Sequence, residues 1–94
     1  MTAKFFDLKN KRVIITGGSS GIGAEIVKKF CEQDSEVFFI DINENHADNL
    51  IKEIKNSKLK EPKFFFCDLQ DIEELKSTIQ KIGNTNVLIN NAGN

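Results

Sequence analysis

Four short apolar runs alternate with three stretches in which apolar residues return every three or four positions. The runs Arg12–Thr16, Glu36–Ile40, Lys63–Cys67 and Asn86–Asn90 have the apolar centres VII, VFFI, FFF and VLI. None alternates apolar with polar. That predicts strands covered on both faces, as in a parallel sheet. Between them lie three helical stripes: Ile22, Ile26, Val27 and Phe30; Ala47, Leu50, Ile51 and Ile54; Ile72, Leu75, Ile79 and Ile82. Asp71, with Glu74 at the third helical position, predicts the start of the third helix, and Gly83 its end. Asn43 is placed to cap the second helix.

The order β-α-β-α-β-α-β puts the chain in the α/β class, with right-handed crossovers. A dinucleotide-binding half of the doubly wound Rossmann type arranges four such strands in the order 3-2-1-4. Chain direction then reverses between the first and fourth strands. Ligands of open α/β sheets bind there, beyond the C-terminal ends of the strands. Both Gly17–Gly23 and Asn90–Gly93 fall at that crevice. The loop Asn56–Pro62 holds the one proline.

Thr16 to Gly23 reads T-G-G-S-S-G-I-G, a glycine-rich turn that leaves a strand and opens a helix. Gly17, Gly21 and Gly23 allow positive φ and close backbone approach. The following helix aims free N–H groups and a partial positive charge at an anion, and a pyrophosphate suits that place. A glycine-rich turn without a ligand is the alternative. A kinase-type phosphate loop is excluded, because Ala24 and Glu25 stand where Lys and Ser or Thr are needed. Asp41 closes the second strand. An acid there accepts hydrogen bonds from both hydroxyls of an adenosine ribose. It also repels a 2′-phosphate, by roughly 4 kcal/mol at ~4 Å and an effective dielectric of ~20. Gly18, Ser19, Ser20 and Ile42 supply no offsetting cation, so NAD is expected over NADP. The alternative is that Asp41 only begins a turn before Asn43.

Composition narrows the picture further. Ninety-four residues make one small domain, and a chain this short buries only roughly 60–65% of its unfolded surface. A net charge of −1 leaves no basic stripe for nucleic acid. No apolar run approaches the roughly 18 residues of a membrane span. The N-terminus carries Asp7 and no long apolar stretch, so it does not read as a secretory signal. Cys31 and Cys67 lack metal-ligand spacing and read as reduced, partly buried thiols, which suits the cytoplasm. No metal site is expected. There are eight Phe but no Trp and no Tyr.

Four blocks, in order, give the chain a family likeness: T-G-G-S-S-G-I-G (16–23), Asp41, Asp68-Leu69 after the third strand, and N-N-A-G (90–93) after the fourth. With them the chain resembles the N-terminal, cofactor-binding portion of a short-chain dehydrogenase/reductase. Lys11 to Gly18 also resembles that family's opening strand. The resemblance implies an NAD(P)-dependent oxidoreductase that passes hydride between nicotinamide and an alcohol or carbonyl carbon. Gly17, Ser20 and Ile22 would line the pyrophosphate and nearby ribose. Gly21 and Gly23 would permit close packing of helix and cofactor. Asp41 would hold the adenosine ribose, and Asp68 would meet the adenine amino group beside the Leu69 backbone. Asn91 would touch the cofactor through its backbone, while Asn90 would help fix the central sheet.

The family's active site also uses a later Asn, a Ser and a Tyr-x-x-x-Lys pair, which in the usual layout lie beyond position 94. No catalytic residue is therefore assigned among these 94, and Thr16, Ser19 and Ser20 belong to the loop. His46 is expected at the surface of the second helix. Asn94 after N-N-A-G is reminiscent of sugar dehydrogenases, though one residue does not choose a substrate. Residues 1–94 are expected to form a single truncated dinucleotide-binding domain that takes NAD(H). Its fourth strand would be left with an unpaired edge, Val87-Leu88-Ile89. The first two helices would cover one sheet face and the third alone the other, leaving an apolar patch. Self-association through the fourth strand is the expected result. A catalytically inactive dinucleotide-binding or self-associating module is the alternative to a dehydrogenase half.

Overall fold

A computed structural model describes residues 8–91. Seven elements follow in the expected order: β1 (Arg12–Thr16), α1 (Gly21–Glu32), β2 (Glu36–Asp41), α2 (Glu44–Asn56), β3 (Lys63–Phe66), α3 (Ile72–Ile82) and β4 (Val87–Asn90). The strands form one parallel sheet in the order β3-β2-β1-β4. Asp41 closes β2 as expected, pairing with Phe66. Two other strand ends differ from expectation by one residue. Cys67 lies outside β3, although its N–H still reaches the Asp41 carbonyl at 3.0 Å. Asn86 lies outside β4, where its side chain accepts the Arg12 N–H at 2.8 Å.

Register divides the sheet into two faces. Val13, Ile15, Val37 and Phe39 point to one face and pack with Val27 and Cys31 of α1 and Ala47, Leu50 and Ile54 of α2. Ile14, Phe38 and Ile40 point to the other and pack with Cys67 and with Ile82 of α3. The helices thus divide two and one, as right-handed crossovers require. Consecutive phenylalanines of β3 serve both layers. Phe64 packs on Phe39 with ring centroids 5.3 Å apart, and Phe65 on Phe38 at 6.3 Å. Both cysteines are free and fully buried, in opposite layers. Burial, foremost, pushes the Cys31 thiol up to about 12, so it is not a nucleophile at neutral pH.

Two members of the helical stripes miss the core. Ile22 is 75% exposed and Ile72 is 57% exposed. Each stands in the first turn of its helix. On the second face α3 seals β1 and β2, but Leu88 of β4 stays 57% exposed.

The junction between α3 and β4 is tied to β1 by Arg12. Its Nε donates to the Asn84 carbonyl at 2.7 Å, and Nη2 donates to the Ile82 carbonyl. Its guanidinium sits 4.7 Å over the Phe38 ring. Gly83, at φ +89°, ends α3. These contacts set where β4 enters the sheet, and so where Asn90 and Asn91 emerge.

Candidate cofactor site

The chain turns sharply as it leaves β1. The Gly17 N–H donates to the Ile40 carbonyl at 2.7 Å, which extends the β1–β2 ladder by one bond. Gly17 and Gly21 have φ of +70° and +58°, the left-handed region that disfavours side chains. Gly23 answers a different need. A Cβ there would stand 2.0 Å from the Gly17 carbonyl oxygen and 2.7 Å from Asn91 Nδ2. The helix therefore packs directly on the loop. A Cβ at Gly21 would meet nothing within 4 Å. One glycine closes the loop on the protein, and the other keeps its outer side open.

The N-terminus of α1 differs from those of the other two helices. Asn43 caps α2 by accepting the His46 N–H at 2.9 Å, and Asp71 caps α3 by accepting the Glu74 N–H at 3.1 Å. Both have acids in the first turn. The α1 N-cap, Ser20, makes no side-chain cap bond, and its first turn holds no acid. The orphan N–H groups and positive dipole end of α1 are thus left beside the open side of Gly21. Such a helix end is suited to an anion.

Asp41 lies one strand over. Its Oδ2 accepts the Ser19 N–H at 3.1 Å and the Ser19 hydroxyl at 2.5 Å, and its Oδ1 accepts the Ile42 N–H at 2.7 Å. Partial burial pushes the carboxyl upward. Hydrogen bonds from Ser19, Ile42 and Asn43 outweigh that and hold it below the ordinary carboxylate value. It is an anion at neutral pH. Ser19 and Ser20 also line a cavity of about 200 Å³ with Ala24, Lys28, His46, Asn49, Leu50 and Glu53. The Lys28 ammonium in that cavity is paired with Glu53 and, at 3.4 Å, with Glu25.

A second cavity, of about 390 Å³, is lined by Ile42, Asp68, Leu69 and Gln70. Asp68 Oδ1 accepts the Gln70 N–H at 3.0 Å, which fixes the carboxylate at the cavity wall. Behind the loop, Asn90 Oδ1 accepts the Thr16 hydroxyl at 2.9 Å and joins β4 to β1. Asn91 Nδ2 donates to the Gly17 carbonyl at 3.0 Å. The structure thus brings Gly17, Ser20, Gly21, Ile22, Gly23, Asp41, Asp68, Leu69 and Asn91 to the C-terminal edge of the sheet. Ala92, Gly93 and Asn94 lie outside the described residues. Sequence reasoning placed Thr16 and Ser19 in the loop but not their partners, Asn90 and Asp41, and it passed over Arg12. The β1–β2 register is what sets the Ser19 hydroxyl against the acid that ends the second strand, and a sequence does not display it.

The fold is a Rossmann-like α/β fold with a parallel sheet, and the chain belongs to the short-chain dehydrogenase family, whose model matches residues 11–94. A D-xylose 1-dehydrogenase of Caulobacter vibrioides is 43% identical over 93 residues, 99% of this chain and 37% of that protein. A probable galactose dehydrogenase of Rhizobium meliloti is 34% identical, over 97% of this chain and 37% of its own length. The crystal structure of 2-keto-3-deoxy-D-gluconate dehydrogenase from Streptococcus agalactiae superposes with a TM-score of 0.82 at 32% identity. It covers 95% of this chain and 35% of its own. A 3-oxoacyl-[acyl-carrier protein] reductase from Brucella melitensis, solved with bound NAD, matches at a TM-score of 0.76 and 28% identity. That match covers 88% of this chain and 32% of the reductase. The chain spans little more than a third of the length of the curated relatives named here.

Proposed function

We propose that these residues are the NAD-binding half of a short-chain dehydrogenase-type oxidoreductase. The observation that carries this is the joint placement of an uncapped α1 N-terminus, the open side of Gly21 and the ionised Asp41 at one end of the sheet. The diphosphate would rest on the loop Gly17–Gly23, against the backbone of Ser20 and Ile22. Asp41 would take the adenosine ribose. The adenine would enter the cavity walled by Ile42, Asp68 and Leu69, with its amino group toward the Asp68 carboxylate. The Asn91 backbone would face the cofactor while its side chain holds Gly17. Bound nicotinamide supplies or accepts a hydride. The acid/base group for that transfer is not among these 94 residues, which include no Tyr.

NAD is preferred because Asp41 repels a 2′-phosphate and the nearby cation, Lys28, already serves two carboxylates. The two sugar dehydrogenases among the relatives favour a sugar hydroxyl as the substrate of the whole protein. Calorimetric titration of the chain with NAD⁺ and NADP⁺ tests the cofactor reading. NAD⁺ should bind more tightly, and Asp41→Ala should weaken it roughly 10- to 100-fold, as expected when a charged hydrogen-bond acceptor is lost. Equal affinities for the two nucleotides would contradict the assignment of Asp41.

A second reading, not exclusive of the first, is self-association. The exposed Leu88 on the edge strand β4 favours it.

A further inference from the structure

We infer that the Ser19 hydroxyl is an internal competitor for the ribose site, occupying the Asp41 oxygen that a ribose hydroxyl must use. The inference rests on the reading of Asp41 as the ribose acceptor, and it concerns a residue to which that reading gave no role.

A carboxylate offers about four lone-pair positions. Three are taken in defined geometry: the Ser19 N–H and hydroxyl on Oδ2, and the Ile42 N–H on Oδ1. The Asn43 N–H also favours the charged form. The acceptor capacity of Asp41 is therefore nearly full before any ligand arrives. The backbone donors are fixed by the ends of β1 and β2. Of the groups on Asp41, only the Ser19 hydroxyl can leave by turning one side-chain torsion.

It also has a place to go. Ser19 is 5% exposed, so its hydroxyl cannot simply turn to bulk water. It lines the cavity between α1 and α2, whose polar lining side chains include Ser20, Lys28, His46, Asn49 and Glu53 beside the apolar Ala24 and Leu50. The hydroxyl thus has two homes: on Asp41 when the ribose site is free, and toward the cavity when a sugar hydroxyl takes Oδ2. Ser19 acts through Asp41 and sets how much of that carboxylate's hydrogen bonding is realised as affinity.

The test is a double-mutant cycle read by calorimetry with NAD⁺, on the full chain and on Ser19→Ala, Asp41→Ala and the double variant. Removing the competitor should tighten NAD⁺ binding roughly 2- to 10-fold in Ser19→Ala, the range set by one net hydrogen bond. In the Asp41→Ala background the same change should have no effect. A Ser19→Ala variant that binds NAD⁺ unchanged or more weakly overturns the inference. So does tightening that persists without Asp41, which would mean the loop merely relaxed. Failure of the underlying reading looks different: Asp41→Ala would then leave NAD⁺ affinity at the wild-type value. Thermal unfolding of each variant, with midpoints close to wild type, keeps a fold defect from imitating any of these results.

Discussion

At the scale of single residues, glycines of the loop serve two different ends. Gly17 and Gly21 answer backbone twist, and Gly23 answers crowding. Gly23→Ala would force its new methyl into the Gly17 carbonyl, and backbone cannot yield as a side-chain tip does. We expect a loss of about 1–3 kcal/mol in urea unfolding, together with loss of NAD⁺ binding. Asp41 gives a pH signature. Its folded pKa lies below the unfolded value, so its contribution is fully present above about pH 4 and is lost as pH falls through the folded value. Acid unfolding of Asp41→Asn should start from lower stability and fall less between about pH 5 and 2. An identical acid limb in both proteins would remove Asp41 from the account. The glycines and Asp41 were legible from sequence because their roles follow from backbone conformation and charge. Ser19 and Arg12 were not, because their partners lie 22 and over 70 residues away and become neighbours only through the sheet.

At the scale of elements, local signals agreed with the fold wherever local chemistry decides. Asn43 and Asp71 cap α2 and α3 as their sequence positions indicate. Asp71→Ala should cost about 1 kcal/mol, and Asn43→Ala a similar amount, both read from chemical denaturation midpoints. Ser20→Ala should cost less stability than either, since Ser20 makes no side-chain cap bond. An equal loss at all three sites would show that Ser20 caps α1 in solution. The uninterrupted apolar strands declared a two-sided sheet, and the crossover rule divided the helices correctly between its faces. Periodicity failed at Ile22 and Ile72, because a stripe of apolar residues marks a helix face and not which of its turns is covered. Ile22 is better understood from its place at the open end of the loop than from its place in the stripe.

At the scale of the whole molecule, the sheet has β4 at one edge, with Leu88 on the face that α3 leaves partly open. Association should rise with concentration in sedimentation equilibrium. Leu88→Lys, a charge on an edge strand, should shift the chain toward monomer without lowering NAD⁺ affinity. A wild-type monomer at high concentration would falsify the association reading. Strand order was legible because the dinucleotide-binding pattern fixes it, whereas the extent of exposure depends on how far α3 reaches across the sheet.

The position of β1 has a consequence in time. It is synthesised well before β4, one of its two neighbours in the sheet. The Thr16–Asn90 bond joins residues 74 apart. At about 5–20 residues per second, a ribosome needs roughly 4–15 s to deliver that partner. During this interval Val13, Ile14 and Ile15 can pair on one side only, and the nascent sheet carries a sticky flank. Contacts of such long separation also slow folding, because the connecting chain must be closed before the bond repays it. The clasp of Asn91 on Gly17 belongs to the same step. The glycine loop, made some seventy residues earlier, therefore gains this contact only once β4 has been delivered.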